Sequence, residues 1–330
     1  MDNMGNTASG SFLVKIAVVI PSYKVTKHIL DVIAAIGEEV HRIYIVDDCC
    51  PDRSGEFVEQ HCSDSRVVVL RNETNQGVGG AMMAGYKAAI EDGMDIIVKI
   101  DGDGQMDPAL LQAFVSPIVS GEADYAKGNR FFDLESVRTM PKRRLFGNAA
   151  LSFMTKLSSG YWNLFDPTNG YTAIHASVAK YLPFEKISNR YFFETDMLFR
   201  LNTLGAVVVD VPMVAKYADE VSNLKITKIM GEFLVKHVRN FFKRLCYNYY
   251  LRGMSLASIE LPLGVLLVLC GAFFGAGHWI ESAQTGVSTA AGTVMISAVP
   301  IILGVQFILS FIGYDIASVP TRPFHRTKLK

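Results

Sequence analysis

Short β-branched runs alternate with stretches of helical periodicity through the front of the chain. Ile16-Ala-Val-Val-Ile20 is apolar at every position and is closed by Pro21-Ser22, the pattern of a strand buried on both faces and entering a loop. Residues 27–39 then place Ile29, Leu30, Ile33 and Ile36 on one side of a helix. Arg42-Ile-Tyr-Ile-Val46 reads as a second strand and Val67-Val-Val-Leu70 as a third. After Asn75-Gln76-Gly77-Val78-Gly79-Gly80 an Ala-rich helix runs to about Ala89. Asp95-Ile-Ile-Val-Lys-Ile100 is a fourth strand and Asp124-Tyr-Ala-Lys127 a fifth. This alternation predicts an α/β domain with a mostly parallel sheet covered by helices on both faces. Ligands in such sheets sit beyond the carboxyl ends of the strands, where three polar clusters fall: Pro21-Ser22-Tyr23, Asp47-Asp48 and Asp101-Gly102-Asp103.

The pattern changes after Leu261. Leu261–Ile280 and Thr293–Ile312 are twenty residues each and hold no Asp, Glu, Lys or Arg. At helical rise each is about 30 Å long, the thickness of a bilayer core; a pair of buried core helices is the soluble alternative. Flanking charge favours the membrane: Lys225 to Arg252 holds seven Lys/Arg, Arg322 to Lys330 holds four, and the connecting loop holds none. The positive-inside rule then puts both flanks in the cytosol and the hairpin tip outside. Ile226–Leu251 mixes Phe233, Val238, Phe241, Phe242 and Leu245 with Lys236, Arg239, Lys243 and Arg244, which suits helices lying in the membrane interface or an ordinary solvated helix. Gly264, Gly271, Gly275 and Gly304 allow close helix association and leave a homo-oligomer open. The expected plan is a disordered leader over 1–14, an α/β domain over 15–223, amphipathic juxtamembrane helices over 224–256, a transmembrane hairpin over 257–317 and a basic cytosolic tail over 318–330.

Composition narrows the function classes. With 32 basic and 32 acidic side chains the net charge is zero, which removes the global electrostatic argument for a nucleic-acid binder. The five cysteines are odd in number and lack the paired spacings of a disulfide framework or zinc site, so they suit a reducing compartment. The residues before Ile16 are polar and the first apolar run is too short for a signal-peptide core, so the front domain is expected in the cytosol.

Asp101-Gly-Asp103-Gly-Gln105-Met-Asp107 follows the fourth strand, and its period of two lets two carboxylates and an amide oxygen turn toward one point. Hard oxygen ligands suit Mg²⁺ or Mn²⁺, which hold a diphosphate and neutralise charge on a leaving nucleotide. A calcium loop competes for this reading, but its closing Glu would fall on Gln112, and Pro108 interrupts it. Asp47-Asp48 can hydrogen-bond a base or ribose, or stand as solvated acids in a strand-end turn. Gln76–Gly80 can bring N–H groups to a phosphate or make a tight turn into a helix; it is neither a dinucleotide fingerprint nor a P-loop. Arg138, Lys142, Arg143 and Arg144 run into the apolar Leu145–Leu157, which suits a phosphate on a greasy chain or a solvated patch. Gly128-Asn129-Arg130, Asp166-Pro-Thr-Asn169-Gly-Tyr171 and Glu194-Thr-Asp196 bring further polar groups that can face the same pocket or cap turns.

Taken in order, Val19-Ile-Pro21-Ser-Tyr23, Val46-Asp-Asp48 with Pro51-Asp52, Asn75-Gln-Gly77 leading to Gly80-Ala81, Asp101-Gly-Asp103-Gly-Gln105, Gly128-Asn-Arg130, Arg144 with Gly147-Asn148, and Asp166 with Gly170-Tyr171 resemble the family-2 glycosyltransferases. The likeness is narrower still to their polyprenyl-phosphate branch, which includes dolichol-phosphate mannose synthases and bacterial undecaprenyl-phosphate glycosyltransferases. It covers roughly residues 16–225, and the membrane hairpin extends it. The resemblance implies a GT-A fold and an inverting transfer from a UDP- or GDP-linked sugar to a membrane polyprenyl phosphate, assisted by Mg²⁺ or Mn²⁺. It implies that Pro21, Tyr23, Asp47, Asp48 and Asp101 contact the nucleoside, that Asp103 and Gln105 hold the metal, and that Asp166 and Asn169 lie by the transferred sugar. Arg130 and Arg143 or Arg144 would grip phosphates, with Lys225 on the acceptor side; Asp103, Arg130 and Asp166 form the implied catalytic set. Where many members carry Arg-x-x-Gly-x-Ser-Lys, Tyr217–Lys225 keeps only Ser222 and Lys225. The resulting expectation is an integral membrane protein of cell-envelope glycan synthesis, with catalytic domain and both termini cytosolic, in a bacterial inner membrane rather than the endoplasmic reticulum.

A lipid phosphate is already anionic near neutral pH, so transfer to it rests on positioning and metal-assisted departure of the nucleoside diphosphate rather than on a strong base. A sugar-hydroxyl acceptor would instead need a carboxylate, with Asp166, Glu194 and Asp196 as candidates. A non-catalytic nucleotide-binding scaffold is opposed by the intact Asp101/Asp103/Gln105 set. A nucleotidyltransferase is opposed by the missing Gly-rich, Arg/Lys-bearing signature after the first strand.

Overall fold

The computed structural model describes residues 14–132, 142–213 and 226–327, and the chain divides into two compact units. The sheet unit takes in the chain up to Ser152, the stretch that begins at Leu164 and ends before Ile226, and the tail from Thr321. The second unit holds Phe153–Asn163 and Ile226–Pro320.

In the sheet unit the strands are β1 (Ile16–Ser22), β2 (Val40–Asp47), β3 (Val67–Arg71), β4 (Ile96–Lys99), β5 (Tyr125–Asn129), β6 (Thr172–His175) and β7 (Val208–Pro212). Their order is β3-β2-β1-β4-β6-β5-β7. The first four are parallel to one another, β6 runs antiparallel between β4 and β5, and β5 and β7 are parallel. Parallel strands need crossovers, supplied by α1 (Ile29–Ala34), α2 (Ser54–His61) and α3 (Gly77–Glu91), with α4 (Leu111–Val119) following β4. Residues 27–39 form a shorter helix than the periodicity predicts, because the chain turns at Gly37 to enter β2 at Val40.

Val18, Ile20, Ile45, Val98 and Phe114 are fully buried and knit the sheet to its helices; each such side chain contributes roughly 1.5–3 kcal/mol. Phe114 stacks on Tyr171 with ring centroids 4.0 Å apart, joining α4 to the residue that precedes β6. The contact between α3 and β1 is closer still: a Cβ at Gly85 would sit 2.3 Å from a Val19 methyl, so no larger residue fits.

The tail is more than a run of basic residues. Its short helix, Phe324–Thr327, returns to the entry of β5, where the fully buried Asp124 carboxylate accepts from Phe324 N (2.7 Å), His325 N (2.9 Å) and His325 Nδ1 (2.6 Å). The His325 ring stacks on His175 with centroids 4.4 Å apart, and Phe324 meets Tyr181 edge-on.

The second unit begins with the end of a helix over Lys142–Ser159, here α5. After α6 (Ala176–Ala179) and α7 (Phe193–Leu204) in the sheet unit, it continues with α8 (Ile226–Cys246), a π turn at Tyr247–Leu251, α9 (Ala257–Thr285) and α10 (Ala291–Ala317). The most apolar 18-residue stretches of the last two have mean hydropathies of 2.1 and 2.3, and both helices are long and apolar enough to cross a membrane, as the sequence leads one to expect. Small residues let them touch: a Cβ at Gly264 would lie 2.9 Å from the Gly304 carbonyl, and Ser297 Oγ donates to the Gly271 carbonyl at 2.9 Å. The glycines read as a means of helix association therefore join the hairpin to itself.

Arg244, read from the sequence as an interfacial cation, is instead 1% exposed. Its guanidinium grips Asp315 with two bonds (2.6 and 3.0 Å) and donates to the Leu157 carbonyl (2.8 Å). Tyr249 Oη and Trp162 Nε1 also donate to Asp315, at 2.5 and 2.8 Å. The sequence misses this because Asp315 lies 71 positions downstream of Arg244, beyond the uncharged stretch that marks the span.

Candidate active site

Beyond the carboxyl ends of β1 and β4 lies a cleft of about 490 Å³, lined by Pro21, Ser22 and Tyr23 on one side and by Asp101, Gly102 and Asp103 on the other. Asp48 and Gly77 close one wall, and Arg190 and Tyr191 from the approach to α7, with Glu194 from its first turn, close another. The polar clusters predicted to converge thus meet at one edge. The register explains how: Pro21 and Ser22 stand opposite Val46 and Asp47, while β4 ends opposite Val19 and leaves Asp101 to turn inward.

The acids at the end of β2 are absorbed by their own loops. Asp47 Oδ1 accepts from Cys50 N at 2.8 Å and Oδ2 from Gly55 N at 2.7 Å, and the residue does not line the cleft. Asp48 does line it, but its carboxylate accepts from Asn72 Nδ2, Gln76 N and Gly77 N at 2.7–2.8 Å. Gly79 N and Gly80 N donate to the Asn189 carbonyl, and a Cβ at Gly79 would fall 2.3 Å from the Ser188 carbonyl. Of the two readings of the Gly-rich run, the structure therefore supports a tight turn into a helix rather than a phosphate cradle.

Asp101 and Asp103 differ in their partners. Asp101 Oδ1 accepts from the buried Lys99 ammonium at 2.6 Å, whereas Asp103 Oδ1 accepts from Gln105 N at 3.0 Å in a turn that Gly104 permits with φ +78°. Asp103 and Gln105 thus share one tight turn. Burial works to lower the Lys99 ammonium's affinity for its proton, but Asp101, Glu194 and Asp103 outweigh it and raise its pKa.

A second cluster forms where β5 and β6 meet the Asp166–Gly170 turn. Asp166 is fully buried and binds Arg130 through Nε (2.7 Å), Nη2 (3.1 Å) and the backbone N (3.3 Å), a bidentate pairing that fixes the guanidinium plane. Asn169 Oδ1 accepts from Tyr171 N at 2.9 Å and its amide contacts Met213 Sδ, so its side chain shapes the turn. Among the carboxylates named for a hydroxyl acceptor, Asp166 is committed to Arg130 and Asp196 accepts from Ser188 N at 2.9 Å. Glu194 faces the cleft, and burial raises its pKa against the pull of Lys99 and Lys127. Arg143 and Arg144 fall in the first turn of α5, but their side chains, like Lys225 as a whole, lie outside the described residues.

The profile of the family described as Glycosyl transferase family 2 matches residues 17–182, half of the chain. The chain belongs to that family. This family-2 glycosyltransferase is 29% identical over 234 residues to the UDP-N-acetylglucosamine–dolichyl-phosphate N-acetylglucosaminyltransferase of Methanococcus voltae, covering 67% of this chain and 92% of the relative. It is 28% identical over 229 residues to the undecaprenyl-phosphate mannosyltransferase of Micrococcus luteus, covering 68% and 93%. Among solved structures, glucosyl-3-phosphoglycerate synthase from Mycobacterium tuberculosis, in complex with Mn²⁺, uridine diphosphate and glucosyl-3-phosphoglycerate, matches with a TM-score of 0.52 at 18% identity, over 70% of this chain and 80% of that one. That likeness is one of fold, and it makes the sheet unit GT-A-like.

Sequence reasoning passes over Lys99 and Lys127. Lys99 interrupts a strand read as apolar, and that interruption is the one signal that marks it, whereas Lys127 ends the short Asp124–Lys127 strand with nothing in the pattern to single it out.

Proposed function

We propose that this glycosyltransferase moves a sugar, with inversion, from a nucleotide-diphosphate donor to a membrane polyprenyl phosphate at the cytosolic face. The observation that carries the proposal is the strand-end cleft lined by a charge-compensated Asp101 and by Asp103, which shares a turn with Gln105, in a chain that continues into two membrane-length helices. Relatives named for dolichyl-phosphate and undecaprenyl-phosphate transfer support the acceptor class.

The donor set fits a divalent cation that arrives with its substrate. Among the described residues no three His, Cys, Asp or Glu side chains gather around one point, too few for a resident ion, whereas Mg²⁺ takes one or two carboxylates and completes its shell with phosphate oxygens and water. Asp103 and Gln105 would hold Mg²⁺ or Mn²⁺, which when bound takes up negative charge on the departing diphosphate. Pro21 and Tyr23 wall the nucleoside, with Asp48 shaping that wall through the turn it holds. Arg130, aimed by Asp166, meets a phosphate, and the anionic acceptor needs no base.

Glu194 supports a second reading, transfer to a sugar hydroxyl, since it is a carboxyl with a raised pKa on the cleft wall and could take the proton. Reconstituting the full chain in liposomes with UDP- and GDP-sugars, and reading nucleoside diphosphate release with undecaprenyl or dolichyl phosphate, tests the first. Asp103→Ala should lower release by about 100-fold or more while membrane insertion is unchanged. Near-normal turnover in that variant would remove the metal assignment.

A further inference from the structure

Two lysines lie buried beneath the cleft, outside the family motif set. Lys99 is 1% exposed and Lys127 fully buried. A buried ammonium is costly unless it is both paired and hydrogen-bonded, so each must find fixed partners. The register sets Lys99 and Lys127 opposite the same residue, Thr172 on the intervening β6, so both side chains leave one face of the sheet.

Both reach the same turn. Lys99 Nζ donates to the Gly170 carbonyl at 3.1 Å as well as to Asp101, and Lys127 Nζ donates to the Asn169 carbonyl. The turn sits so tightly on Lys99 that a Cβ at Gly170 would be 2.7 Å from its Nζ. The same turn begins at Asp166, the residue that aims Arg130. Carboxylates stand near both lysines: Asp101, Glu194 and Asp103 act on Lys99, and Glu194 and Asp166 on Lys127. Glu194, in the first turn of α7, is close enough to both lysines to act on them electrostatically.

We propose that Lys99 and Lys127 are positioning residues of the transfer, clamping the Asp166–Gly170 turn by two consecutive carbonyls and so fixing where Arg130 presents its guanidinium relative to Asp101 and Asp103. The proposal rests on the glycosyltransferase reading of the cleft. A buried lysine that served stability alone would be expected to lower the amount of folded protein, and the kinetics of the folded fraction would stay as they are. A clamp acts on turnover.

The experiment compares Lys127→Met, Lys127→Gln and Lys99→Met with the parent, all as full chains in liposomes. Calorimetric binding of UDP and GDP with Mn²⁺ counts the folded sites. Lys127→Met should lower kcat by about 10-fold to 100-fold while donor KM and nucleotide Kd stay within about two-fold. Lys127→Gln, whose amide still donates, should recover part of the loss. Lys99→Met should lower kcat and also weaken metal-dependent nucleotide binding, because Asp101 loses its partner. The proposal is overturned if Lys127→Met keeps kcat within about two-fold, or if activity falls only in step with the number of nucleotide-binding sites. Loss of nucleotide binding in both Lys127 variants would overturn it too, since the lysine would then be holding the whole domain. A parent that binds nucleotide yet transfers sugar to no lipid would instead defeat the functional reading beneath it.

Discussion

Acidic residues at strand ends hold a loop, face the cleft, or do both. Asp47 and Asp48 look alike in the sequence, yet Asp47 is spent on Cys50 N and Gly55 N, and Asp48 on the turn that opens α3. Asp47 is thereby kept off the cleft, whereas Asp48 holds its turn and also lines the cleft wall. His175 offers a pH test at the same scale. Burial, and then the stacked His325 ring, push it down to about 4 from 6.5. Between those values the unfolded chain takes up a proton that the folded chain refuses, so this contribution to stability is lost as pH falls through the window and is restored above it. His175→Asn keeps a side-chain acceptor at this helix N-cap without titrating, and the fall in thermal unfolding midpoint from pH 6.5 to 4 should be shallower than in the parent. An identical slope would mean that His175 does not titrate as its surroundings dictate. The motif residues were legible because they lie close together in sequence. Lys99 and Lys127 were not, because only the insertion of β6 between β4 and β5 brings them onto one turn.

Elements were read well where the pattern was local. The alternation of apolar strands and periodic helices gave β1 to β5 nearly in place, and the two uncharged stretches lie inside α9 and α10. What pattern does not carry is pairing across long separations, and the Arg244–Asp315 pair is the clearest case. The two are 1% and 3% exposed, so removing one partner strands a buried charge. Arg244→Met alone should destabilise the unit by about 3–5 kcal/mol, whereas Arg244→Met with Asp315→Leu should recover most of that loss. Thermal unfolding in detergent reads both, and a double variant no more stable than the single one would show that the bonds from Tyr249 and Trp162, rather than charge compensation, dominate. The tail was legible only as basic charge. Its docking depends on Asp124, 200 positions earlier than Phe324, and no periodicity links them.

At the scale of the whole molecule, one chain joins a GT-A-like sheet unit to a hairpin of membrane-length helices and then returns to the sheet unit through its tail. Under the proposed reading, an acceptor confined to lipid makes the hairpin part of substrate access. The measurement that bears most directly on this account is the mass of the lipid product formed by the full chain in liposomes containing undecaprenyl phosphate, offered UDP- and GDP-sugars. The expected result is a single sugar residue added to the polyprenyl phosphate, absent when the unphosphorylated polyprenol replaces it and absent in Asp103→Ala. Sugar transferred equally well to the unphosphorylated alcohol, or nucleoside diphosphate released with no glycosylated lipid phosphate, would contradict it.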